Sequence, residues 1–313
     1  MTKNRFFYAA LFAATLSFGL TSCNTKDDDE IVLDNTIKST IAEEVLQKST
    51  DVNIPPVEQT PAVVEMEAGA PVSKVVMCSN NKFIAYTATK SGRAIVDGSN
   101  VFTGTYDISL AGFVINSPEL GLQITIPLDL IGSVKIGDDA YAIASSLKVP
   151  DSATPTELSI CRTWSNPTYT AGVYFDKLPV YGTKVEDKAG LSSIKDLSKT
   201  VLNRIIAKDS NLRDEGFELL SSDIESLTFT SSKVYLRYEN ARVEESNWEW
   251  IDQSKGQLKT IIDGKDVTLE ARFEKGNPNK AYFVIDANCT GVGGLGVHTL
   301  SGRLVCTMTE SSK

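Results

Sequence analysis

Leu227-Thr228-Phe229-Thr230-Ser231-Ser232-Lys233-Val234-Tyr235-Leu236-Arg237-Tyr238 carries the fold signal in its most compact form. Two runs rich in β-branched and aromatic residues flank a small polar turn, and each run alternates in the period of two that puts successive side chains on opposite faces of a sheet. The stretch predicts a hairpin with strands at Ser226 to Thr230 and Val234 to Glu239. The same text continues to the end of the chain. Strands are expected at Asn247 to Asp252, Leu258 to Ile262, Val267 to Phe273, Ala281 to Asn288 and Leu300 to Thr309, with turns at Ser254-Lys255-Gly256, Asp263-Gly264 and Gly276-Asn277-Pro278-Asn279.

Upstream of the hairpin lies one long helical pattern, 191–208. Leu191, Ile194, Leu197, Val201, Leu202, Ile205 and Ile206 fall on one face, and Ser193-x-x-Asp196 supplies a capping signal. Strands are also read ahead of it at Leu158 to Trp164 and Tyr169 to Phe175. That makes about nine strands in the second half, enough to close a barrel and remove unpaired edges. The segment Val149 to Thr156, with Pro150 and Pro155, reads as a linker. Before it, Val72 to Met77, Lys82 to Thr89, Arg93 to Val96, Val101 to Ser109, Phe113 to Ile115 and Gly121 to Ile126 read as short strands separated by turn residues. The expected fold class is therefore mainly β, with two antiparallel domains at 63–150 and 156–310. The second is a barrel or curved sheet bearing one packed amphipathic helix.

The first thirty residues carry an address. Lys3 and Arg5 precede an apolar run, Phe6 to Leu20, that is too short to span a bilayer comfortably and ends in Leu20-Thr21-Ser22-Cys23. This pattern implies a lipoprotein signal over 1–22, with Cys23 as the lipidated first residue of the mature chain. The following Lys26-Asp27-Asp28-Asp29-Glu30 resembles the acidic export signal by which Bacteroidetes-type bacteria send lipoproteins to the cell surface. By charge repulsion alone it is also an extended, solvated spacer. Residues 23–62 then read as tether and short helix, with Ile37, Ile41, Val45 and Leu46 at helical spacing. The expected location is the outer membrane, lipid-anchored and cell-surface exposed.

Removing the signal lowers the basic count from 31 to 29 against 40 acidic residues, a net charge of about −11. Nucleic acid and anionic lipid need clustered Lys and Arg, so both are excluded as primary partners. Cys78, Cys161, Cys289 and Cys306 are scattered and His298 is the only histidine, which removes a Cys/His zinc site. Cys289 with Cys306 or Cys161 would be a disulfide if their strands were neighbours; otherwise all four are buried thiols. Gly291-Val292-Gly293-Gly294-Leu295-Gly296 matches G-x-G-x-x-G, but a β-like run follows it where a nucleotide fold requires a helix, so it reads as a hairpin loop. With one histidine, no G-x-S-x-G and no H-E-x-x-H, no catalytic residue or cofactor is assigned. Glu244-Glu245, Glu249 and Asp252 leave a hydrolase pair only as a minor alternative.

The candidate binding residues are Trp248 and Trp250. Two apart on a strand, they share a face with Glu249 opposite, an arrangement that suits stacking on a sugar or filling a barrel core. Binding of an extracellular ligand, a glycan or other nutrient, is the leading expectation, and a protein-interaction role as accessory subunit of an outer-membrane assembly is the second. The text 76–86 also echoes 228–238, each with a strand, a polar turn, a Lys and a strand ending in Tyr, which raises an internal duplication beside chance likeness of two hairpins.

Cys161-Arg162-Thr163-Trp164, then Leu227-Thr228-Phe229-Thr230, then Trp248-x-Trp250-Ile251 resembles the W…(I/L)xFT…G-x-W/Y pattern of lipocalin-like (calycin-like) β-barrel lipoproteins. The resemblance covers roughly 156–310 and departs from the family at an inserted helix and at Asn247, where Gly is usual. It implies a barrel with an apolar core and no shared catalytic residues.

Overall fold

The computed structural model describes residues 40–50, 60–88, 101–117, 121–150, 152–183, 186–214, 222–262, 265–293 and 296–310. Cys23, Lys26, Asp27, Asp28, Asp29 and Glu30, with the strand read at Arg93 to Val96, lie outside them. The protein is mainly β and forms two closed antiparallel rings of eight strands.

The first ring runs in sequence order: β2 (Ala62–Met66), β3 (Val72–Met77), β4 (Lys82–Thr87), β5 (Val101–Ser109), β6 (Gly112–Ser117), β7 (Leu122–Ile126), β8 (Ser133–Ile136) and β9 (Asp139–Lys148). It closes where β9 pairs back onto β2, with Ala62 opposite Lys148 and Val64 opposite Ser146. Sixteen buried side chains, including Val64, Val75, Phe83, Ile115, Ile124 and Val134, fill the interior. An eight-stranded ring is narrow enough for its own side chains to occupy it, as these do. Tyr106 places its hydroxyl in that core and donates it to the Cys78 carbonyl at 2.6 Å. Strands β2, β8 and β9 were not among those read from the sequence.

The second ring follows the order β16 (Lys265–Glu274), β15 (Gln257–Ile262), β14 (Val243–Asp252), β13 (Lys233–Tyr238), β12 (Ile224–Phe229), β10 (Thr163–Phe175), β18 (Gly296–Glu310) and β17 (Asn277–Gly293), and closes by pairing β17 with β16. The short strands β1 (Ser49–Thr50) and β11 (Leu178–Tyr181) attach to β16 and β10. Three helices accompany the strands. Helix α1 (Ile41–Leu46) buries Ala42 and Leu46 against Tyr282, Val284 and Val305. Helix α2 (Pro155–Ile160) replaces both the expected linker end and the start of the strand read from Leu158; Thr154 and Glu157 form a reciprocal capping box, and Pro155 fits the first turn. Helix α3 (Ile194–Lys208) is the amphipathic helix of the sequence pattern, capped by the Ser193 hydroxyl on the Asp196 amide. None of the helices among the described residues is long and apolar enough to cross a membrane.

Compactness divides the chain differently from the two rings. One unit holds Ile54–Ser165 and Glu225–Asn247; the other holds Asn166–Ile224 and Trp248–Thr309 with helix α1. In the first of these, the outer face of β2–β4 is buried as well as the inner: Val63, Val76, Cys78, Ile84 and Tyr86 pack with Tyr235 and Val243 of β13 and β14. Lys74 crosses this layer and bonds Glu245, whose other oxygen takes Lys233. At the entry to β10 the fully buried Arg162 spans Trp164, 5.7 Å away, and reaches Glu310 at 2.9 Å, while the Trp164 indole donates to the Ile160 carbonyl.

The two hairpins that echo one another in sequence do not share a face pattern. Aligned as written, Phe83 of the inner core meets Tyr235 of the outer layer, and Ile84 of the outer layer meets Leu236, which points the other way from Tyr235. A one-residue slip exchanges every inside position for an outside one, so a true repeat would have kept the faces in step. The echo is hairpin chemistry rather than duplication.

Removing one partner of the Lys74–Glu245 pair strands a charge in an apolar layer. Lys74→Ala is expected to cost about 3 kcal/mol in urea denaturation, at the lower end for a buried pair because Lys233 still serves Glu245. Burial opposes ionisation of Glu245, but hydrogen bonds from Lys233 and Lys74 overcome it and hold the carboxyl below the usual carboxylate range. A depressed carboxyl stabilises the fold above its unfolded value of about 4.3 and loses that contribution as pH falls through the folded value. Urea midpoints of Glu245→Gln should therefore fall less on acidification below pH ~4.5 than those of the parent.

Candidate functional site

One end of the first barrel presents aliphatic side chains to solvent. The tight turn between β5 and β6 and the connection between β7 and β8 emerge at the same end, because β6 and β7 pair with Phe113 opposite Ile126. Gly112 fixes how closely they meet: a Cβ there would lie 2.0 Å from the Ile126 carbonyl oxygen, and its φ of 132° suits only glycine. Ile108 pairs with Phe113, so the inward row Ile126, Phe113, Ile108 runs out of the core and ends on a half-exposed isoleucine. Leu110 at the turn tip is fully exposed, Leu128 is 51 % exposed and Ile131 71 %. The only charges in 107–112 and 127–133 are Asp107 and Asp129. Asp129 turns one oxygen back onto the Ile131 amide at 3.1 Å. Sequence reading missed this surface because it looked for aromatic residues on strands, whereas the signal was Leu110, Leu128 and Ile131 at loop positions that polar residues usually fill.

The two tryptophans take inward positions in the other unit. Trp248 stands opposite Thr260 and Trp250 opposite Leu258, and both partners are buried, as are Val267 and Leu269 on the next strand. Trp248 is 7 % exposed and Trp250 partly buried, with the rings edge to face at 5.3 Å and 86°. They do not form a flat pair of stacking faces. The Trp250 indole N–H is buried and has no partner among the described residues. Trp250 is the last inward residue before the turn Gln253–Lys255, and Glu249 points outward to solvent.

The residues weighed for catalysis have structural partners. Glu244 accepts from the Tyr238 hydroxyl, Glu245 is taken by two lysines, and Asp252 caps the turn through the Ser254 and Lys255 amides. His298 stacks on Phe175 with ring centres 4.9 Å apart. Its Nδ1 meets Asp176 at 2.7 Å and its Nε2 lies 3.3 Å from Asp209. The two carboxylates sit on opposite sides of the ring and cannot chelate one ion, and no metal-binding group of three such side chains occurs among the described residues. Cys78, Cys161 and Cys306 are free and buried, and burial pushes the Cys161 and Cys306 thiols up to about 12, too high for a nucleophile. Cys289 stands opposite Leu300, six residues from Cys306 along β18, roughly 20 Å at strand spacing. That separation rules out the Cys289–Cys306 disulfide. Of the glycine run, Gly291 and Gly293 lie on β17 and Gly296 on β18, with Gly293 opposite Gly296.

No protein-family model matches the chain, and no curated protein aligns significantly with it.

With Trp164→Phe, only Trp248 and Trp250 fluoresce. Acrylamide should then resolve two populations, one shielded and one partly accessible. A single, freely quenched population with red-shifted emission would contradict the inward placement of Trp248.

Proposed function

We propose that this chain is a lipid-anchored surface lipoprotein that acts by binding, and that its binding face is the aliphatic end of the first barrel, which takes a protein partner. The observation that carries the reading is the exposure of Ile108, Leu110, Leu128 and Ile131 together at one end of the first barrel. Soluble surfaces rarely group large aliphatics in this way unless something covers them. The chemistry of the face selects the class of partner. With carboxylates at Asp107 and Asp129, and Lys135 the only Lys or Arg within five residues of either segment, it suits an apolar protein face edged by Lys or Arg better than anionic lipid. A glycan would find neither an aromatic platform nor a ring of amides on it.

The tether supports the same reading. Lipidation at Cys23 and the Lys26–Glu30 segment would hold the body at the outer membrane, where an accessory subunit meets its assembly. A binding mode without catalysis also agrees with the structural employment of Glu244, Glu245 and Asp252.

A second reading rests on Trp250. A buried indole N–H without an acceptor among the described residues, beside Trp248 and Leu258, is what a small ligand with one hydrogen-bond acceptor would satisfy. This keeps the glycan or nutrient expectation in a narrower form, as insertion at the barrel end rather than stacking on an open sheet.

The two readings separate by experiment. A photo-crosslinking residue at position 110 in intact cells should yield a discrete adduct with an outer-membrane protein, and the same probe at the exposed Leu178 should not. Leu128→Asp with Ile131→Asp should weaken that adduct by about 30-fold or more, the loss of roughly 2 kcal/mol expected at an interface centre. Adducts that survive both substitutions would remove this face as the interface. Cys23→Ala should move the protein out of the membrane fraction, and retention there would defeat the anchor.

A further inference from the structure

Four polar side chains are enclosed together in the layer outside the first barrel. Lys74 on β3 places its ammonium 4.7 Å from the centre of the Tyr86 ring and 5.9 Å from that of Tyr235. Both tyrosines are fully buried, and Lys74 and the Glu245 side chain nearly so. Val63, Val76, Ile84 and Val243 form the apolar walls. Glu245 has both oxygens engaged, one by Lys74 and one by Lys233. The hydroxyls of Tyr86 and Tyr235 meet no acceptor among the described residues.

A buried phenol that gives up water and gains no partner is a standing cost, and native interiors rarely keep two side by side. Neither can lose its proton to escape the cost. Burial first, and the charge of Glu245 second, hold both far above the ordinary tyrosine value, so they remain donors at every working pH. The site therefore holds two unspent O–H donors, while both carboxylate oxygens of Glu245 are taken. Lys74 and Lys233 are balanced in charge by Glu245 and by the half-exposed Glu65, 4.0 Å from the Lys74 ammonium.

We infer that this enclosure binds one small hydrogen-bond acceptor, a water molecule or a halide ion, shared by the hydroxyls of Tyr86 and Tyr235 beside Lys74. A monatomic or water-sized species fits the chemistry because the walls are close-packed aliphatics and both rings are wholly covered. The bound acceptor ties β4 to β13 through their tyrosines, where Lys74 already ties β3 to β14.

The test is thermal melting of the full-length chain with Tyr86→Phe, Tyr235→Phe and both, in chloride and in gluconate salts. Each single variant should lower Tm by about 2–4 °C, and the double variant by less than the sum because one acceptor serves both hydroxyls. A parent Tm that falls in gluconate while the double variant's does not identifies a halide; salt-independent losses identify water. Unchanged or raised Tm in the Phe variants would mean that the hydroxyls were unsatisfied burdens, and the site would be discarded. Strictly additive losses would equally overturn a shared acceptor.

Discussion

Ring closure is the constraint on which the rest of the structure depends. An open sheet exposes two rows of unpaired amides and carbonyls; pairing β9 onto β2 and β17 onto β16 removes those edges. Closure also decides the meaning of every alternating side chain, because one face of each strand becomes interior by geometry and not by hydrophobicity alone. The first barrel uses that interior for its own core, from Val64 through Phe83 to Ile136. That leaves the ends and the outer face of the barrel as its surfaces.

The two kinds of surface differ. The outer face of β2–β4 is covered by β13 and β14, so these strands are buried on two sides and their runs lose the alternation that marks a half-exposed strand. Polar groups in such a layer have to be matched, and the pairing of Glu245 with two lysines does so for the charges. The end with Leu110 and Ile131 has no such cover among the described residues. One barrel thus carries a side face that is buried and chemically specified, and an end face that is apolar and open.

Much of the architecture was legible because hairpin turns punctuate it. Val72–Met77 and Val101–Ser109 fall where period and turn residues put them, and the helix starts at the Ser193 cap. The misses have physical causes. Strand β9 alternates Ala, Ser, Tyr and Ile with little hydrophobic contrast, and β2 follows a proline-rich stretch that resembled loop. Leu158–Ile160 reads equally as the start of a strand or the end of a helix by apolar content; the capping box at Thr154 and Glu157 tips it to helix, and that signal was present in the sequence but masked by the two prolines.

The site was legible only in outline, and the tryptophans show why. Period two places Trp248 and Trp250 on one face with certainty, yet nothing in the local sequence says whether that face meets water or core. The answer comes from strands 10 and 20 residues away: Leu258, Thr260, Val267 and Leu269 line the same side, and together they make it an interior. Leu110, Leu128 and Ile131 show the converse. They lie in loops, where an aliphatic residue has no strand or helix period to explain it, and they gather only because β6 pairs with β7. In both cases the decisive information is a pairing between segments, and a reading that weighs residues by type alone favours the aromatic pair over the aliphatic cluster. Exposure reverses that order: the aromatic pair is largely spent on packing, and the aliphatic end is the surface left with apolar area to bury.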